Sequence, residues 1–297
     1  IILQEPVYYT FSQAMLGPDR EKMYRDAVFH VRPATDDQPY FFRFFKWGSI
    51  TRLTGAMGAD WIPFVEWGYV ALVVTLIQAV TASVLLILLP LLALSRAAGT
   101  QNAKRWVLLY FTGLGAAYMF LEIAFIQRFM LFLAYPIYAV TVVLASFLIF
   151  SGLGSLYAHY RLTGGRENAA KHPLTGMAVA GIAVVAMIYL LVLPSLFSAW
   201  AGWSDPAKIA VSLILLAPMA FLMGIPFPVG LHLIVHRFPP LLPWAWGMNG
   251  CASVVGATLA TLIAVHLGFR ILVLISVVVY ILTWLGLQRL ESAGGEA

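Results

Sequence analysis

The sequence is short of charge and nearly free of cysteine. Of its 297 residues only 10% are Asp, Glu, Lys or Arg, against about 25% in an ordinary soluble domain. So few ionised groups cannot cover a water-facing surface of this size, which excludes a soluble globular chain. The single cysteine, Cys251, excludes an intrachain disulfide and leaves the redox compartment unread. Catalytic signatures are missing too. There is no G-x-S-x-G, H-E-x-x-H, C-x-x-C or P-loop, and no dinucleotide or S-adenosylmethionine fingerprint. The G-x-G matches at Gly113–Gly115 and Gly152–Gly154 lie inside apolar runs with no strand before them. They read as helix-packing glycines, not nucleotide loops.

Apolar sequence takes the place of charge. Hydrophobic residues make up 61% of the chain, mean hydropathy is +0.87, and aromatics reach 14% with nine Trp. This composition suits a bilayer, with rings at both interfaces. The net charge of +5 and pI near 9.4 do not point to nucleic acid, because the basic residues beyond residue 66 sit mostly in short loops between apolar runs. They are read as topology signals.

A helix needs about 20 mainly apolar residues to cross a hydrocarbon core of about 30 Å. Seven segments qualify: Tyr69–Ser95, Trp106–Leu131, Tyr138–Ala158, Leu174–Ser198, Ile209–Val235, Trp246–Leu267 and Arg270–Leu287. The expected fold is an all-α polytopic membrane protein, with about seven transmembrane helices after a small mixed extramembrane segment. Residues 1–66 form that segment, 67–290 the bundle and 291–297 a polar tail. Pro90 should kink the first span. Residues 1–66 hold about half of all the charges. Within them, a helix is expected from Asp19 to Asp26, a short strand over Ala27–Val31, a turn over Arg32–Pro39 and an interface-lying aromatic stretch over Tyr40–Trp47. The chain opens on Ile1 without a signal-peptide pattern, and further sequence is expected before it.

Loop Lys/Arg favour one side of the seven spans by eight to three: Arg96, Lys104, Arg105, Arg161, Arg166, Lys171, Arg237 and Arg289 against Lys208, Arg270 and Arg128. The first set is expected in the cytoplasm, with residues 1–66 on the outer face of a bacterial inner membrane.

Several residues stand out against this apolar background. Glu122, in the middle of the second span, is costly in lipid and should face the bundle interior. It reads either as a proton, ion or substrate contact, or as a structural hydrogen bond to Tyr118 or another helix. Gln127 and Arg128 follow. Arg128, six residues on, lies about 240° round the helix from Glu122, and is expected to snorkel or bond to a loop. Gly224, Pro226, Pro228 and Gly230 break the fifth span. Such a break lines a cavity in many transporters, or it serves as a packing kink. His232 and His236 have metal-ligand spacing without a visible third ligand, so a polar interfacial face is the expected reading. Asn249 should bond to a neighbouring helix. Ala252, Gly256 and Ala260 make a close-packing face. Asp36 and Asp37 suit a turn before Pro39. The second, fifth and sixth spans thus carry the polar features, and the first, fourth and seventh read as lipid-facing scaffold.

Six strings, taken together and in order, carry a resemblance. They are PATDDQPYFF at 33–42, EWGY at 66–69, FLEIAFIQR at 120–128, SGLGS at 151–155, MGIPFPVGL at 223–231 and WGMNG at 246–250. The chain resembles the C-terminal membrane part of bacterial spermidine-synthase-like integral membrane proteins. That resemblance implies a Rossmann-type domain, of the aminopropyltransferase and methyltransferase kind, whose end would fall in residues 1 to about 45. It implies an S-adenosyl-type cofactor only for such a domain, so no cofactor is expected in this chain. It assigns no catalytic role to Asp36 or Asp37.

Three functions are therefore expected in turn. The first is a membrane-anchoring and interaction domain, with the lipid bilayer and other membrane proteins as partners. The second is a transporter or carrier with a mid-membrane polar site. The third is a transferase of a lipid or polyamine whose catalytic domain lies elsewhere.

Overall fold

A computed structural model of the chain describes residues 7–18, 20–40, 46–57, 66–94, 101–163 and 171–293. The chain divides into two compact units, Ile1–Val73 and Val74–Ala297. Every regular element among the described residues is helical.

In the first unit, α1 runs Val7–Leu16, α2 Arg20–Asp26 and α3 Ile50–Met57. The helix expected near Asp26 is α2, whereas α1 carried no capping signal and was missed. The strand expected over Ala27–Val31 does not form. The Ala27 N–H bonds back to the Met23 carbonyl at 3.0 Å, extending the turn of α2. Lys46 then takes the end of that helix, its Nζ donating to the carbonyls of Tyr24 (2.8 Å), Arg25 (3.3 Å) and Ala27 (2.7 Å). A cation at a helix C-terminus satisfies carbonyls that have no N–H left to accept from. Arg32 pairs with Glu21 at 2.5 Å and stands over the Tyr24 ring. The turn before Pro39 is present as a bridge between Thr35 and Gln38, with Asp36 and Asp37 at its tip. Most of the aromatic stretch expected over Tyr40–Trp47 lies outside the described residues.

The remainder is an all-α polytopic bundle with seven helical spans long and apolar enough to cross a membrane. The first comprises α4 (Trp67–Ser83), a π-helical turn (Val84–Leu88) and α5 (Leu89–Leu94). The expected kink is this π turn. Pro90 has no N–H to give the ladder, and the turn before it widens to a Leu89-to-Val84 bond. The other spans are α6 (Gln101–Leu133), α7 (Pro136–Thr163), α8 (Lys171–Ala199), the pair α9 (Asp205–Met223) and α10 (Pro226–Arg237), α11 (Leu242–Leu267) and α12 (Phe269–Ala293).

The second span, α6, is the hub, and it packs against α7, α9, α10, α11 and α12. Its glycines allow this. A Cβ on Gly113 would lie 2.2 Å from the Thr283 methyl of α12, and one on Gly115 would lie 2.5 Å from the Asn249 carbonyl of α11. Across the α6–α11 seam, a Cβ on Gly256 would lie 3.2 Å from Ala116 Cα, so the small-residue face of α11 packs as expected. The seventh span corrects its reading as lipid-facing scaffold. Ser276, Tyr280 and Thr283 of α12 are all buried, and Ser276 Oγ donates to the Ala117 carbonyl at 2.8 Å. Three polar residues at positions 276, 280 and 283 mark a helix face turned inward at i, i+4, i+7 spacing. The first span does fit the scaffold reading, for only 6% of its apolar window is buried within this chain.

Candidate functional site

The fifth span is broken more lightly than Gly224–Gly230 suggested. The helix stops only at Gly224 and Ile225, and both stay in the right-handed helical region. The bends come from missing donors. Pro226 and Pro228 have no N–H, so the Leu222 carbonyl accepts from Ile225 at 3.2 Å instead, and Gly224 loses its usual i+4 donor. Glycine then lets α7 press against the bend. A Cβ on Gly154 would lie 2.0 Å from the Phe221 carbonyl oxygen, and one on Gly224 2.0 Å from that of Ser151. Further along, Gly230 leaves room for the Tyr110 ring, whose hydroxyl donates to the Pro226 carbonyl at 2.6 Å. The kink is thus held by packing on two sides.

Beside this bend is a cleft of about 340 Å³, at the small end of the roughly 300–1,000 Å³ found for small-molecule sites. α6 supplies Leu114, Gly115 and Tyr118. α7 supplies Leu148, Ser151, Gly152 and Ser155. The bend gives Met223, Gly224, Phe227 and Pro228, while α11 and α12 complete the lining with Trp246, Asn249, Ser253 and Tyr280. Tyr118, Ser151, Gly224, Ser253 and Tyr280 each fall within about one turn of the centre of their span, so the cleft lies at mid-membrane depth. Its rim faces outward, since Leu148 is 72% and Trp246 56% exposed. At that depth the outward side of a span meets hydrocarbon, and the mouth opens sideways towards lipid.

The walls are apolar, and a small set of neutral polar groups reaches the interior. The Tyr118 hydroxyl and Ser151 Oγ pair at 3.3 Å. Ser253 Oγ donates to the Asn249 carbonyl at 2.9 Å. The Asn249 carboxamide lines the cleft and makes no hydrogen bond among the described residues, correcting the expectation of a bond to the next helix. It offers a ligand both donors and an acceptor. No charged residue lines the cleft among the described residues.

The other residues singled out in the sequence fall elsewhere. Glu122 is buried, at 7% exposure, one turn below Tyr118 and outside the cleft lining. The bond expected from Tyr118 goes to Ser151 instead. Arg128 does not snorkel. It is buried, with its guanidinium over the rings of Phe269 (5.6 Å) and Phe197 (5.9 Å). Gln127, its neighbour on α6, is half-buried. The His232 and His236 rings lie 4.2 Å apart, tilted by 38°, and His236 Nδ1 sits 2.8 Å from the His232 carbonyl. No cluster of three metal-ligating side chains occurs among the described residues. Sequence reasoning missed Ser151, Gly152 and Ser155 of α7 and Tyr280 of α12. The string SGLGS was a signal for the first three, since serines at i and i+4 with a glycine beside them give an apolar helix one small, polar face. No family model, curated protein or solved structure matches the chain.

Proposed function

We propose that the bundle is a carrier-type membrane domain, taking a small neutral amphiphile from the bilayer into the mid-depth cleft. The observation that carries this is the cleft's combination of a lipid-facing mouth with the unbonded Asn249 carboxamide inside. An unpaired amide at mid-depth is costly, and a ligand group with one donor or acceptor relieves that cost. Absence of lining charge favours an uncharged head, and the apolar walls favour a short chain or ring behind it. Gly152 gives a clean test, because a Cβ there meets nothing within 4 Å. Gly152→Leu should fill the cleft without disturbing the fold. Purified protein is titrated with a radiolabelled medium-chain alcohol in mild detergent. Saturable binding that Gly152→Leu abolishes and Gly152→Ala retains supports the reading, whereas equal binding by all three proteins refutes it.

A second reading, membrane anchoring and interaction, is favoured by the first span, whose Val74, Ile77, Leu85 and Leu86 are all more than half exposed. Such a face suits either lipid or another membrane protein. A monomer in mild detergent, from material extracted without partners, would count against interaction. Kinship with spermidine-synthase-like membrane proteins rests on the six sequence strings, and with it the third reading, a transferase using an S-adenosyl-type cofactor. We place the protein in a bacterial inner membrane with the N-terminal unit outside, on the loop charges. Tags at Ile1 and Ala297 should be accessible from opposite sides, the first from outside. An N-terminal tag reached only from the cytoplasm reverses this orientation.

A further inference from the structure

At the end of the bundle where α6 and α8 finish and α9 and α12 begin, two basic side chains are buried among aromatic rings. Lys208, in the first turn of α9, is 9% exposed, and Arg128 is 7% exposed. The Phe132 and Phe197 rings stack face to face, with centroids 4.3 Å apart and planes 11° apart. Lys208 Nζ lies 5.7 Å from the centroid of Phe132, and the Arg128 guanidinium 5.9 Å from that of Phe197. The stacked pair of rings therefore lies between the two cations, Lys208 against one ring and Arg128 against the other.

Nζ of Lys208 makes no hydrogen bond or ion pair among the described residues. Asp205, one turn earlier, is exposed and does not pair with it. A ring face at this distance replaces only part of the hydration that an ammonium loses on burial. The side chain carries three donors, and the protein leaves all three for something else. Its surroundings show at what level that partner sits. Trp200 and Trp203 stack in the α8–α9 loop at 5.0 Å, and Trp203, Tyr135 and Tyr138 are exposed at the same end. Trp and Tyr collect at the level of lipid headgroups. Lys208 stands about one turn below that belt. The first turn of α9 adds its own positive end, and the Ser204 side chain does not cap it.

We propose that Lys208, at the first turn of α9, forms a binding site for the phosphate of an anionic lipid headgroup. The site is separate from the mid-depth cleft and does not depend on its ligand.

The test uses the full chain, delipidated and titrated with phosphatidylglycerol or phosphatidylcholine of the same acyl chains, bound lipid being counted by native mass spectrometry. Phosphatidylglycerol should bind about tenfold more tightly, as expected for a charge-assisted hydrogen bond. Lys208→Met, which keeps the apolar stem and removes the charge, should erase that preference. Lys208→Arg should retain it. Arg270→Gln removes a cation on the exposed surface of the same end and should change nothing. An undiminished preference in Lys208→Met overturns the proposal, as does an equal loss in Arg270→Gln, which would mean a diffuse charge effect. Inorganic phosphate is the competing source of the same chemistry. Displacement of phosphatidylglycerol by millimolar phosphate would overturn the lipid assignment, and retention of the lipid supports it. Should Lys208→Met fail to assemble, the unaltered chain still decides. Its unfolding temperature should be higher in phosphatidylglycerol than in phosphatidylcholine nanodiscs, and equal temperatures overturn the proposal.

Discussion

Tyr110 and Gly230 share one space in the bundle. A Cβ on Gly230 would lie 2.2 Å from Cε1 of the Tyr110 ring, and the ring's hydroxyl reaches past it to the Pro226 carbonyl. Gly230 and the tyrosine of the hub helix are complementary, so α6 braces the fifth span just past its bend. Tyr110→Phe leaves the shape and removes the donor, and should cost about 1–2 kcal/mol of stability. Gly230→Ala should cost more, by forcing the ring out. Unfolding of the purified variants in a denaturing detergent series measures both. Equal stability of Tyr110→Phe and the parent would show that the bond does not hold the kink.

The α7 contact with the same bend gives an internal control. Gly154→Ala and Gly224→Ala each push a methyl to within 2.0 Å of a backbone oxygen, which cannot swing away as a side chain could. Each should cost about 3 kcal/mol, at the upper end for overpacking. Gly152→Ala, on the same helix as Gly154, should be nearly neutral. Thermal unfolding of the three variants checks the order, and a Gly152→Ala as damaging as Gly154→Ala would contradict the packing described.

Glu122 and Asn249 are separated in space. Asn249 lines the cleft and Glu122 does not. Glu122→Gln should therefore bind a medium-chain alcohol as the parent does, while Asn249→Leu should weaken binding about tenfold, the expected loss for one hydrogen bond in a dry site. Titration of both variants decides, and a loss confined to Glu122→Gln would move the site.

In the N-terminal unit, Lys46 closes α2 through three carbonyls. Lys46→Met keeps the stem and loses all three bonds. It should destabilise that unit by about 2 kcal/mol and speed tryptic cleavage after Arg25. Unchanged cleavage would show that α2 ends stably without this cap.

The spans were legible because one physical rule, about 20 apolar residues per crossing, leaves its mark in consecutive positions. All seven were read, the fifth as one interrupted segment, which folds as one span made of α9 and α10. The kink was visible in Pro226 and Pro228, since a missing N–H acts locally. The cleft was only half legible. Asn249 and the Gly224 bend stood out as local anomalies, but Ser151 and Tyr280 are unremarkable on their own helices. Their role comes from juxtaposition across α6, α7 and α12, which no linear pattern records. The burial of Arg128 was illegible for a related reason. Snorkelling is the default for a basic residue near a span end, and the rings of Phe197 and Phe269 that hold it lie 69 and 141 residues away in sequence.

Occupation of the mid-depth cleft from the bilayer is tested most directly by asking where a lipophilic probe lands. A diazirine-tagged medium-chain alcohol, photolysed with the protein in nanodiscs and mapped by mass spectrometry, should label peptides carrying Tyr118, Ser151 and Asn249, and Gly152→Leu should abolish this labelling while leaving that of exposed Leu148 intact. Labelling confined to outward-facing positions such as Leu148 and Ile77, and unchanged by Gly152→Leu, would contradict a ligand site in the cleft.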